Sequence, residues 1–140
     1  MPETPLPSGD ALMALIGAAH RVEAQLESAL NAIGLSMAKF GVLEAMMRAS
    51  EPLTLTELAG KLSCVRSNIT QLIDRLEADG LVQRVADPSD RRIIRAVLTP
   101  LGTERATQGA AAFAQARGEL ADRLPEGERA SLLTALSRLV

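Results

Sequence analysis

The run Ile69-Thr70-Gln71-Leu72-Ile73-Asp74-Arg75-Leu76-Glu77-Ala78-Asp79-Gly80-Leu81-Val82-Gln83-Arg84-Val85 changes period in its middle. Ile69, Leu72, Ile73 and Leu76 recur at i, i+3, i+4 and i+7, the stripe of an amphipathic helix, and Gly80 stops it. Leu81 to Val85 then reads as a strand. Upstream, Thr54-Leu55-Thr56-Glu57 is a capping box, a Thr at the N-cap with a Glu three residues on. The short helix behind it buries Leu58, Ala59 and Leu62, and a turn near Ser63 and Cys64 joins the two helices. Downstream, Ala86-Asp87-Pro88-Ser89-Asp90-Arg91-Arg92 is a polar turn, too long for a two-residue hairpin, and Ile93 to Leu98 is the returning strand. Residues 54–98 therefore read as a helix-turn-helix followed by a β-hairpin, which is a winged helix.

Outward from that unit the chain is helical. Leu12, Leu15, Ile16, Ala19, Val22, Leu26, Leu30 and Ile33 form one stripe that ends at Gly34. Ser36 caps a second helix carrying Phe40, Val42, Leu43, Met46 and Met47, ended by Glu51-Pro52. Thr99 followed by Pro100 is an N-cap with proline at the first helical position, opening an Ala-rich helix that runs to about Leu124. Pro125 opens the last helix. The expected class is mainly α (α+β). A winged helix-turn-helix occupies about 36–98, dimerisation helices lie at about 10–33 and 100–140, and residues 1–9 form a flexible arm before a single domain.

Composition narrows the chemistry. The chain has 140 residues, 47% of them hydrophobic, and a net charge of −2. Cys64 is the one cysteine and His20 the one histidine, so an intramolecular disulfide, a four-thiolate zinc site and a multi-histidine metal site are excluded. Neither a phosphate-binding glycine loop nor a nucleophile–histidine pairing is evident, and no enzyme, cofactor or metal is expected. Phe40 and Phe113 are the only aromatic residues. No apolar run is long enough to span a bilayer, and Met1 to Pro7 lacks the basic residues of a secretory signal. A soluble cytoplasmic protein without a membrane partner is expected.

With Ile69, Leu72, Ile73 and Leu76 facing inward, Arg66, Ser67, Asn68, Thr70 and Gln71 take the outward, N-terminal part of their helix. That end enters the major groove in helix-turn-helix proteins. Asn68 and Gln71 carry amides suited to adenine, Arg66 suits guanine or phosphate, and Ser67 and Thr70 suit phosphate oxygens or base edges. Arg75 and the wing residues Ser89, Arg91 and Arg92 complete the candidate contacts to double-stranded DNA. The bland alternative is a solvated polar face. Charge follows the same division: residues 61–95 carry +2 and the remainder −4. Electrostatic attraction reaches over a Debye length of about 8 Å at physiological salt, so the local face decides.

Leu76-Glu77-Ala78-Asp79-Gly80-Leu81-Val82-Gln83-Arg84, then Asp90-Arg91-Arg92, then Leu98-Thr99-Pro100-Leu101-Gly102, resembles the MarR family of bacterial transcriptional regulators. The spacing of the flanking helices extends the resemblance over about residues 10–140. It implies a triangular homodimer whose outer helices pair and whose winged helices face DNA, acting in most cases as a repressor. It further implies that Arg92, the arginine of an Asp-x-Arg motif, reaches into the minor groove, oriented by Asp90 and Asp74. An internal Arg92–Asp74 salt bridge is the competing view. His20 and Arg21 fall where the family often forms a crevice for phenolic or other anionic effectors; a surface charge and a satisfied histidine are the plainer meaning. Two positions depart from the pattern. Val65 stands where the family carries a capping Ser, Thr or Asp, which leaves Ser63 or Ser67 to cap. Gln71 stands where relatives are often basic, so base preference does not transfer.

Cys64 precedes the recognition helix, whose N-terminal dipole lowers a thiol pKa, so a redox-sensing regulator is one alternative and inert packing another. At the chain ends, Leu12, Leu15, Val22 and Leu26, with Leu132, Leu136, Leu139 and Val140, are expected to pair across a two-fold axis. The resulting dimer would read an inverted repeat with half-sites about 34 Å apart. The rival for these faces is a monomer covering its own core; the rival for the function is a protein-interaction winged helix without DNA binding.

Overall fold

Asp10 starts the first helix: its carboxylate accepts the backbone N–H groups of Leu12 and Met13 at 3.0 and 3.2 Å. The computed structural model describes residues 9–62 and 66–140, with backbone only for Arg66 and Ser67. Among the described residues the order is α1 (Ala11–Asn31), α2 (Met37–Arg48), β1 (Leu53–Thr54), α3 (Leu55–Lys61), α4 (Arg66–Ala78), β2 (Val82–Ala86), β3 (Ile94–Leu98), α5 (Pro100–Ala121) and α6 (Glu126–Ser137). This is the mainly helical winged fold read from the sequence.

The boundaries follow from backbone bonding. The capping box closes in both directions, Glu57 N–H to Thr54 Oγ1 and Thr54 N–H to Glu57 Oε2, each at 3.1 Å. Gly80, at φ +78°, lets Leu81 N–H reach back to the Leu76 carbonyl at 2.9 Å. That bond uses the Leu81 donor, so β2 begins at Val82, one residue later than expected. Ile93 is likewise taken by the turn, donating to the Asp90 carbonyl at 3.0 Å, and β3 begins at Ile94. Helix α5 ends at Ala121 rather than near Leu124, because the next residues tighten into a turn before Pro125.

Strand β1 was not expected. Its two residues pair antiparallel with β3, Leu53 opposite Ala96 and Thr54 opposite Arg95, giving the sheet order β1-β3-β2. The core is one cluster in which Leu30, Val42, Leu43, Leu58, Ile69, Ile73 and Leu76 are fully buried. Each such side chain contributes about 1.5–3 kcal/mol relative to exposure. Phe40 and Phe113 stack with centroids 5.5 Å apart, fixing α5 to α2. Gly102 is where α5 crosses the winged unit: a Cβ there would lie 1.9 Å from the Leu81 carbonyl oxygen.

The chain ends are built differently. No residue of α6 is buried, and Leu132, Leu133 and Leu139 are 42%, 69% and 55% exposed. Leu12, Met13, Ile16 and Val22 of α1 are also exposed, while Leu15 and Leu136 are half-buried. Leu26 corrects the expected interface set. It is buried within the single chain, because the second half of α1 packs on α5.

Candidate nucleic-acid interface

Helix α4 divides its surface among three stripes set by the 3.6-residue repeat. Ile69, Ile73 and Leu76 are buried in the core. Thr70, Asp74 and Glu77 face the wing. Asn68, Gln71 and Arg75 are exposed, and among the described residues their side chains have no partner. Thr70 therefore departs from the outward set expected for it: it is half-buried, and its carbonyl accepts Arg84 Nη2 at 3.5 Å.

Arg84 of β2 joins the wing to this helix. Its Nη2 donates to Asp74 Oδ1, its Nη1 to Glu77 Oε1 at 3.0 Å, and its backbone N–H to Glu77 Oε2 at 3.0 Å. The hydrogen bond to Asp74 chiefly, with the fields of both carboxylates, outweighs burial and raises the guanidinium pKa. The expected Asp74–Arg92 pair is thus replaced by Asp74–Arg84. Asp74 does hold the wing, but at its base and not at its tip, because it shares a stripe with Thr70 and Glu77 beside β2.

The wing turn is organised by two aspartates. Asp87 is only 9% exposed; its Oδ1 accepts the Ser89 N–H at 2.8 Å and the Ser89 hydroxyl, and its Oδ2 accepts Arg95 Nε at 2.7 Å. The Ser89 hydroxyl first, then Arg95, pull the Asp87 carboxyl well below the usual carboxylate range. Arg95 also donates to the Pro52 carbonyl at 2.9 Å, tying β3 to the loop before β1. Asp90 accepts the Arg92 backbone N–H and Nε, each at 3.1 Å, and Nη2 at 3.2 Å, which lowers its pKa. The Arg92 side chain stays 90% exposed. Ser89, read as a candidate DNA contact, uses its hydroxyl on Asp87. Arg91 and Arg75 have no carboxylate partner among the described residues.

Arg84, Glu77, Asp87 and Arg95 were missed as site residues. A signal existed for Arg84: it shares strand parity with buried Val82 and stands opposite buried Ala96, where a charge needs a partner.

The remaining candidates separate. His20 lines an open depression of about 460 Å³ with Glu23, Ala24, Glu27 and Met37; Arg21 is not in its wall. Glu27 already accepts the Met37 N–H at 2.9 Å. Two carboxylates make this lining unsuited to an anion. Cys64, Ser63, Val65 and the side chains of Arg66 and Ser67 lie outside the described residues. No described helix is long and apolar enough to cross a membrane.

Comparison with known proteins agrees with this geometry. The sequence profile described as "MarR family" matches residues 35–94. An uncharacterised HTH-type transcriptional regulator of Bacillus subtilis, YsmB, is 39% identical over 73 residues, 52% of this chain and 49% of the relative. The chain thus spans about half the length of the curated relatives it matches first. Among solved structures, the transcriptional repressor CouR bound to a 23-mer DNA duplex superposes with a TM-score of 0.81 at 28% identity, covering 97% of this chain and 99% of CouR. A cysteine-to-serine mutant of MarR from Escherichia coli, complexed with operator DNA, gives 0.78 at 28% identity, covering 92% and 93%.

Proposed function

This chain belongs to the MarR family, and we propose on that premise that it is a homodimeric, sequence-specific DNA-binding regulator that represses transcription from an inverted-repeat operator. One observation carries the reading: Asn68, Gln71 and Arg75 form an exposed stripe on a helix whose other two faces are taken by the core and the wing. Buried partners fix the helix, and the free stripe is left to read.

In the proposed mechanism the N-terminal half of α4 enters the major groove. There Asn68 and Gln71 bond base edges, Arg66 takes guanine or phosphate, and Ser67 adds a hydroxyl. Arg75 and Arg91 neutralise phosphates. Arg92, held by Asp90 and extended into solvent, enters the adjacent minor groove. The exposed leucines of α1 and α6 pair across the two-fold axis and fix the separation of the two heads. The likeness to a repressor solved on duplex DNA supports the sign of regulation. For an effector at the His20 depression, a neutral phenol suits the lining better than an anion, because Glu23 and Glu27 repel negative charge.

Selection of bound sequences from random duplex DNA, followed by salt titration, tests the reading. The expected result is an inverted repeat, with log K falling by about 0.9 per decade of salt for every phosphate neutralised. A protein-interaction winged helix enriches no sequence, and that result would remove the proposal.

A further inference from the structure

We propose that Arg84 is a positioning residue for DNA recognition, setting the angle between the wing and the recognition helix instead of contacting DNA itself. The inference rests on the DNA-binding reading above. Arg84 reaches three successive positions on one stripe of α4, the Thr70 carbonyl, Asp74 and Glu77, and its backbone N–H binds Glu77 as well. Its side chain is 26% exposed, against 90% for Arg92 at the tip. A guanidinium turned onto two carboxylates has little left for a phosphate.

The lever arm explains why such a clamp matters. From Arg84 to the wing tip is roughly six residues of extended chain, about 15–20 Å at 3.3 Å per residue. A swing of about 10° at the base therefore carries Arg92 about 3 Å sideways. That displacement separates a guanidinium seated in a minor groove from one outside it. Arg95, bonded to Asp87 and the Pro52 carbonyl and 4.0 Å from Glu57, holds the other strand to the α3 side, and among the described residues the ion pairs from the wing to α4 are those of Arg84.

The clamp makes a prediction opposite in sign to simple electrostatics. Removing Asp74 and Glu77 charges from a DNA-facing helix should tighten binding if only phosphate repulsion matters. Under the clamp the same change frees Arg84 and weakens specific binding. Arg84→Lys keeps the charge but loses the fork that spans two carboxylates.

The experiment measures affinity of the full chain for its selected duplex and for a scrambled duplex of equal length. It uses the wild type, Arg84→Lys, Asp74→Asn/Glu77→Gln and the triple variant, with melting and dimer mass as checks. The clamp predicts that specific affinity falls about tenfold in Arg84→Lys and in the carboxylate pair, that scrambled-duplex affinity does not fall, and that the triple variant is no worse than its weaker parent. Wild-type specific affinity in Arg84→Lys, or tighter specific binding by Asp74→Asn/Glu77→Gln, overturns it. If Arg84→Lys fails to fold, the sign of the effect in the carboxylate pair decides the question. A wild type that does not distinguish the two duplexes fails earlier, at the DNA-binding reading itself.

Discussion

The winged head and the terminal helices are made from the same aliphatic alphabet but reach different ends. In the head, Ile69, Ile73 and Leu76 of α4 are fully buried, the capping box at Thr54 closes the start of α3, and the Leu81 N–H beyond Gly80 closes the end of α4. In α6 no residue is buried, although it carries Leu132, Leu133 and Leu136. The head is therefore complete within one chain, whereas the terminal helices leave apolar surface that a second copy would cover. Stability and assembly accordingly reside in different residues, and substitutions should separate them.

The largest effect belongs to the head. Ile73→Ala should lower unfolding free energy by about 2–5 kcal/mol, read from urea denaturation. A smaller loss would mean that the head is packed no better than the ends. Next, Leu132→Glu with Leu139→Glu should weaken self-association about a hundredfold by sedimentation, while α4 and the sheet keep their hydrogen-exchange protection. Loss of protection throughout would show that the head does not stand alone.

At the junction of the two regions, Gly102→Ala should cost about 1–3 kcal/mol in melting experiments, since its methyl group would meet the Leu81 carbonyl. Arg92→Ala should weaken operator binding about tenfold, or about 1.4 kcal/mol, in a titration that leaves melting unchanged. Unchanged affinity would take the wing out of the mechanism.

The smallest effect is in acid. The Asp87 carboxyl is lowered in the folded wing, so its contribution is complete above the ordinary carboxylate value near 3.8 and is lost only as pH falls through the lower folded value. The Ser89 N–H and Arg95 Nε–H resonances should be constant from neutral pH to about 4 and shift only below that, and Asp87→Asn should abolish their acid shift. A titration of Asp87 at the ordinary value would show that Ser89 and Arg95 do not hold it.

Much of this architecture was legible in sequence, where one residue's role depended on its near neighbours. Thr54 with Glu57, Gly80 after Leu76, and Thr99 before Pro100 act over four or five residues and can be read directly. Strand β1 was not legible, because two residues after a proline carry no period and acquire extended pairing only from β3. The same limit applies to the site. Asp90 and Arg92 are close in sequence and their pairing was anticipated, whereas Asp74 meets Arg84 across ten residues and Asp87 meets Arg95 across eight, where strand register decides the partner. Leu26 was misassigned for a similar reason: apolar periodicity marks a stripe, not whether α5 or a second chain covers it.

The account depends above all on two reading heads fixed at one separation. Affinity and stoichiometry on a series of duplexes, carrying the selected half-site twice at spacings stepped by one base pair, test that directly. The account predicts two chains per duplex and a sharp affinity maximum where half-site centres lie about 34 Å apart. A single chain on each duplex, or affinity indifferent to spacing, would contradict it.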